Sequence, residues 1–182
     1  MLKILISGHG HEFYNESTGE FINVEDTLLK LEHSLVSVSK WEEHYKKPFL
    51  TEDAKTKEET IFYIKCMTIN NNVNELVYEL LTAEQIESIN QYIQDNRTAT
   101  WFTERDNDSD INREQITSEL IYYWMIIYNI PQEYQKWHLS RLMTLIRICN
   151  VKNSPNKKMS EQETLYYYRR IKEQRRAARL KK

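Results

Sequence analysis

The sequence predicts a mainly α fold: a helical domain with a small N-terminal β-hairpin or sheet, followed by a charged C-terminal tail that is helical or disordered. Three observations lead there. All three glycines (Gly8, Gly10, Gly19) fall in the first 19 residues, and the three prolines (Pro48, Pro131, Pro155) are widely spaced. The rest of the chain therefore lacks the frequent turn residues a strand-rich domain needs. Apolar residues also recur at intervals of three and four over most of the length. Finally, residues 157–182 hold ten Lys/Arg against three Asp/Glu, a net +7, which leaves residues 1–156 at −9 within a total of −2. The expected organisation is a helical domain at 1–152 and a basic tail at 153–182.

The first elements are extended. Residues 2–7 have strand character, and 11–14 and 20–24 flank the turn-forming run Asn15-Glu16-Ser17-Thr18-Gly19, which predicts a hairpin or three-stranded sheet. From Val24 the period changes to about 3.6. Leu28, Leu31, Leu35, Val38, Trp41 and Tyr45 mark one helical face, with Asp26 or Thr27 as cap. Lys46-Lys47 suit the negative end of the helix dipole, and Pro48 stops the helix.

A second helix is expected from Thr56, where Thr56-Lys57-Glu58-Glu59 has the spacing of a capping box. It would bury Ile61, Ile64 and Cys66 or Met67 and end at the Asn70-Asn71-Asn72 run. Short helices follow at 73–81 and 83–94, the latter capped by Thr82 with Gln85 three residues on. Residues 97–102 read as β-prone or irregular and 104–112 as a polar loop. A helix over 113–128 would present Ile116, Leu120, Trp124 and Ile127. Pro131 would open the next helix, with Leu139, Leu142, Ile146 and Cys149 inward. Only Asn129-Ile130 lies between, which predicts an antiparallel helical hairpin.

Composition excludes several classes. Mean hydropathy is −0.71, and no apolar run approaches the roughly 20 residues that cross a bilayer. The first 13 residues hold too few apolar positions for a secretion leader. Cys66 and Cys149 lie far apart within apolar patterns and read as small core residues in a reducing cytoplasm.

Catalytic and metal motifs fail on spacing. Asp106-Asn107-Asp108-Ser109-Asp110 resembles the opening of a calcium loop, but Ile111 and Thr117 stand where the obligatory Gly and bidentate Glu belong. His9 and His11 would share a strand face, yet only Glu12 lies near as a further ligand. No glycine follows residue 19 to form a phosphate loop, and no nucleophile elbow occurs. No catalytic residue, cofactor site or metal site is assigned.

The candidate contacts are with protein. Trp41, Tyr45, Tyr122, Tyr123, Tyr134 and Trp137 ring their helices instead of forming one stripe. Either they fill a large mixed interior, or some form an interface of the kind in which Tyr and Trp are enriched. In the tail, Arg169, Arg170, Arg175 and Arg176 follow Tyr166-Tyr167-Tyr168. Such a tail could neutralise phosphates, but its acidic body disfavours nucleic acid, and a helix or arm that orders on a protein partner is the preferred reading.

Several blocks carry a family resemblance. Leu31-Glu32-His33-Ser34-Leu35-Val36-Ser37-Val38-Ser39-Lys40-Trp41-Glu42 with Lys47-Pro48-Phe49-Leu50 resembles the tail assembly chaperones of long-tailed, siphovirus-like bacteriophages. So do Thr98-Ala99-Thr100-Trp101-Phe102 and Ser118-Glu119-Leu120-Ile121-Tyr122-Tyr123-Trp124-Met125. Gln135-Lys136-Trp137-His138-Leu139, Leu145-Ile146-Arg147 and the ending Asn153-Ser154-Pro155-Asn156-Lys157-Lys158-Met159-Ser160 follow in the same order. The resemblance implies a non-enzymatic helper in the cytoplasm of the host bacterium. It would bind the tape measure protein, keep it soluble during tail tube assembly, and be missing from the mature virion. It also implies a longer form made by programmed frameshifting near Asn156-Lys157-Lys158, through which the tail tube protein would be reached. Self-association is left open. The rival readings are a structural virion or connector protein, and a nucleic-acid-binding regulator that uses the basic tail.

Overall fold

The N-terminal strands form a ribbon of two antiparallel ladders. In the computed structural model, which describes residues 1–15, 19–100 and 115–153, β1 (Leu2–Ile6) pairs with β4 (Thr27–Leu31), from Leu2 opposite Leu31 to Ile6 opposite Thr27. Between them in sequence, β2 (Glu12–Asn15) pairs with β3 (Glu20–Asn23). Residues 7–11 on the outgoing arm therefore face only 24–26 on the return. Gly8 absorbs the excess by lying directly on the Val24 backbone, where a Cβ would stand 2.1 Å from the Val24 carbonyl oxygen. Gly10 turns the chain with a φ of 85°, a conformation that favours glycine. The Asp26 carboxylate holds the bulge: Oδ1 accepts the Gly8 N–H at 2.9 Å, the Ser7 hydroxyl at 3.1 Å and the His9 N–H at 3.3 Å.

The helix expected from about residue 24 starts later. Leu29 and Leu31 point inward and Leu28 outward, the period-two alternation of a strand. Asp26 and Thr27 are thus not helix caps. The cap is Ser34: its hydroxyl accepts the Ser37 N–H, and the Ser37 hydroxyl accepts the Ser34 N–H at 2.9 Å. Helix α1 (Leu35–Tyr45) buries Leu35, Val38 and Trp41, and ends at Lys46 in the left-handed region (φ 54°), two residues before Pro48.

Helix α2 (Lys57–Met67) begins at the Thr56 cap, with Glu59 closing the capping box. It packs on α1 and buries Tyr63, Ile64 and Met67. The chain after it becomes a partial third strand beside β4. The Ile69 N–H donates to the Lys30 carbonyl at 2.8 Å, and the Asn70 carboxamide accepts from the Lys30 N–H (2.7 Å) and donates to the Leu28 carbonyl (2.9 Å). Asn70 therefore satisfies backbone groups that an open sheet edge would leave exposed.

The next expected helix is a tighter 3-10 turn, Glu75–Leu80, capped by Asn74 and burying Val77 and Tyr78. Helix α3 (Ala83–Gln94) has the expected Thr82/Gln85 box and buries Ile89 and Tyr92. The Gln85 amide reaches the Leu5 carbonyl of β1 at 3.1 Å.

Helix α4 (Ser118–Ile127) is capped by Thr117 and packs on α1. Its inward residues are Ser118, Ile121 and Met125; the expected face of Ile116, Leu120, Trp124 and Ile127 is half-buried or exposed. The two-helix hairpin is not formed. After Asn129 (φ 52°), Pro131 caps a 3-10 turn, Gln132–Lys136, which packs on α1, and α5 (Leu139–Asn153) begins only beyond it. Leu139, Leu142 and Ile146 are inward as expected. The start of α5 is tied to the chain before α1, the Leu139 N–H donating to the His33 carbonyl at 2.8 Å.

Met1–Arg147 forms one compact unit, and a second begins at Ile148. The described sites below belong to the first. Residues 101–114, with the Asp106–Asp110 run, and the tail with Arg169, Arg170, Arg175 and Arg176 lie outside the described residues. Among the described residues, no helix is long and apolar enough to cross a membrane.

Candidate functional site

Helix α4 reads SELIYYWMII, with Glu119 as its one charged residue. A helix this apolar has more hydrophobic surface than one neighbour can cover. Packing on α1 consumes the Ile121/Met125 stripe. On another side Tyr123, Ile126 and Ile127 remain 56%, 75% and 50% exposed. Spacings of three and four put these three on one helical face, so they form a patch.

The other aromatic candidates separate by role. Trp41 is 1% exposed and sits in the core. Its indole N–H donates to the Glu59 carbonyl at 3.1 Å, and Phe49 meets it edge-on at 5.1 Å. The ammonium groups of Lys47 and Lys55 lie over its ring at 5.6 and 5.5 Å, a cation–π arrangement. This is a packing role, and it removes Trp41 from any contact surface. Tyr45 is half-buried beside it, at 4.8 Å. Tyr122 is half-buried, donating its hydroxyl to the Gln135 side chain at 2.9 Å. Tyr134 and Trp137 stack at 3.9 Å with planes 15° apart. Of the six aromatics singled out by sequence, only Tyr123 lies in the α4 patch.

Ile126 and Ile127 are exposed because the stripe that meets α1 lies one position along from the face the spacing predicts. A second exposed pair was missed on the ribbon. Tyr14 and Phe21 face each other across β2 and β3, 5.2 Å apart, and are 58% and 65% exposed. Their cross-strand register is the signal that would have found them, and it depends on where the hairpin turns.

The interior holds a polar cluster that the sequence did not reveal. His33 and His138 are each 5% exposed, with ring centroids 5.1 Å apart. His33 Nδ1 shares a hydrogen bond with the Tyr63 hydroxyl. His138 Nε2 bonds the Tyr92 carbonyl at 3.1 Å, and its Nδ1 bonds the Ser140 hydroxyl at 2.8 Å. Burial, then the neighbouring His138, pushes His33 down to about 3. Burial pushes the Tyr63 phenol up and the Cys66 thiol up to about 11. The two histidines and Tyr63 are hydrogen-bonded within the protein, as buried polar groups must be. They join the chain before α1 to α2 and to the start of α5. Among the described residues, no group of three His, Cys, Asp or Glu side chains is arranged to hold a metal.

No known protein family, curated protein or solved structure matches the chain.

Proposed function

We propose that the protein is a tail assembly chaperone of a long-tailed bacteriophage. It binds the tape measure protein in the host cytoplasm and keeps it soluble while the tail tube assembles. The α4 patch of Tyr123, Ile126 and Ile127 is the observation that supports this reading. A long helical partner exposes apolar faces that aggregate before assembly. An exposed helical stripe at three- and four-residue spacing suits helix-against-helix docking. Covering the exposed parts of three such side chains contributes roughly 1–2 kcal/mol apiece, which the cost of association partly offsets, so each contact is weak and reversible and gains from many copies along one partner.

The proposal includes a longer, frameshifted form whose added segment engages the tail tube protein, with slippage near Asn156-Lys157-Lys158. A gene without a slippery heptamer at those codons would remove that part alone. The chaperone role is tested by expressing the tape measure protein of the same genome with and without the full chain. The expected result is a shift of the tape measure protein from the pellet to the soluble fraction, together with co-purification. A tape measure protein that stays insoluble and is not bound would reject the assignment.

A further inference from the structure

Two clefts meet at Arg97. One, of about 400 Å³, is walled by Glu32, Arg97, Lys136, Trp137, His138 and Arg141. The other, of about 470 Å³, follows the last turns of α3 past Ser88, Gln91, Gln94 and Asp95. They adjoin at Arg97: a basic groove beside a shallow, open surface that carries side-chain amides and Asp95.

The basic groove is a local feature of an acidic body, since residues 1–156 carry a net −9. Its cations are not equally engaged. Arg97 pairs with Asp95 at 3.0 Å and lies over the Tyr92 ring at 4.5 Å. Glu32 accepts the Tyr92 hydroxyl at 2.6 Å and pairs with the Met1 ammonium, also in the wall, at 2.8 Å. Lys136 and Arg141, by contrast, have no carboxylate partner among the described residues. Arg141 is held in place all the same, its guanidinium 4.3 Å over the Trp137 ring. A stacked guanidinium is pre-organised and keeps N–H donors free for a carboxylate.

We propose that this groove binds an acidic peptide segment, with Arg141 and Lys136 receiving its carboxylates and the side-chain amides of Gln91 and Gln94 meeting its main chain. Two observations favour a peptide over a nucleic acid. Tyr134 and Arg141 both lie about 4 Å from the Trp137 ring centre, so they must occupy opposite faces and leave no platform on which a base could stack. Glu32 and Asp95 also stand in the walls. Each already engages a cation, the Met1 ammonium and Arg97, which leaves Lys136 and Arg141, too few to neutralise a continuous phosphate backbone but enough for a peptide with spaced carboxylates. The site is separate from the α4 patch, and it stands or falls independently of the chaperone reading.

The basic tail could also attract acidic peptides, so the test compares the two. A fluorescent peptide with glutamates separated by Gly-Ser spacers is titrated into the full chain, into Lys136→Glu/Arg141→Glu and into Arg175→Glu/Arg176→Glu, with an oligothymidylate as competitor. Circular dichroism checks folding. The groove variant is expected to bind the peptide at least about tenfold more weakly at about 0.1 M salt. Should that variant not fold, Lys136→Gln/Arg141→Gln is expected to lose about threefold. Unchanged affinity in the groove variant, with the loss carried by the tail variant, would overturn the proposal. So would an oligothymidylate that binds the wild type more tightly than the peptide and loses that binding in the groove variant.

Discussion

Glu42 and Ser118, 76 residues apart in the chain, are joined by a buried hydrogen bond in which Glu42 Oε2 accepts the Ser118 backbone N–H at 2.7 Å. The other oxygen of the same carboxylate accepts the Phe49 N–H at 2.8 Å. One side chain on α1 thus fixes both the loop that follows it and the start of α4, where the helix dipole favours negative charge. The α4 patch is held in position through this contact.

Replacing Glu42 with Ala leaves two buried N–H groups without acceptors. We expect a loss of about 3 kcal/mol in urea unfolding, with Glu42→Gln retaining part of it. A change below about 0.5 kcal/mol for the Ala variant would show that water or a neighbour substitutes for the carboxylate.

Stability should fall as pH drops from neutral. His33, held at about 3 by burial and by His138, stays neutral in the folded chain, while the unfolded chain takes up that proton near its ordinary value of about 6.5. Burial shifts His138 the same way. The stabilisation is therefore full above about pH 6.5 and is lost progressively toward pH 3, at no more than about 1.4 kcal/mol per pH unit for each histidine. Glu59 is lowered by Lys47 and the Thr56 N–H, and Asp26 by the Gly8 N–H and Ser7 hydroxyl. These carboxylates add a loss of the same sign only below about pH 4. The urea midpoint should drop between pH 7 and pH 5, and a His33→Gln variant should show a shallower slope over that interval. Equal slopes would place the titration elsewhere.

Gly8→Ala should be among the costliest small substitutions. A Cβ there meets Val24 backbone atoms at 2.1 and 2.5 Å, and backbone cannot rotate away as a side chain can. The expected loss is at least about 2 kcal/mol. Gly10→Ala, with open space but a φ of 85°, should lose about 1 kcal/mol. Thermal unfolding of the pair measures the difference directly.

Local signals were readable in the sequence where the chemistry is local. The Thr56/Glu59 and Thr82/Gln85 boxes mark helix starts because cap and partner lie three residues apart. The Ser34/Ser37 box escaped because Ser replaces the usual Glu or Gln. Leu28, Leu31 and Leu35 imitate a helical stripe, and only the pairing of β4 with the distant β1 shows that Leu29 and Leu31 are the inward residues. The same limit hid the His33–His138 contact, the Glu42–Ser118 bond and the basic groove at Arg97, all made between segments distant in the chain. The face of α4 slipped by one residue because the helix is apolar on nearly every side, so its own pattern does not say which stripe meets α1.

The most direct test of the account is co-expression of the tape measure protein with a Tyr123→Ser/Ile126→Ser/Ile127→Ser variant of the full chain, compared with the unmodified chain. These side chains are exposed, so the variant should fold with an unchanged circular dichroism spectrum and a thermal midpoint near that of the parent. We expect the soluble, co-purifying tape measure protein to fall at least about tenfold, as when the central anchors of an interface are removed. A variant that solubilises and retains the tape measure protein as well as the parent would contradict the claim that α4 is the contact surface.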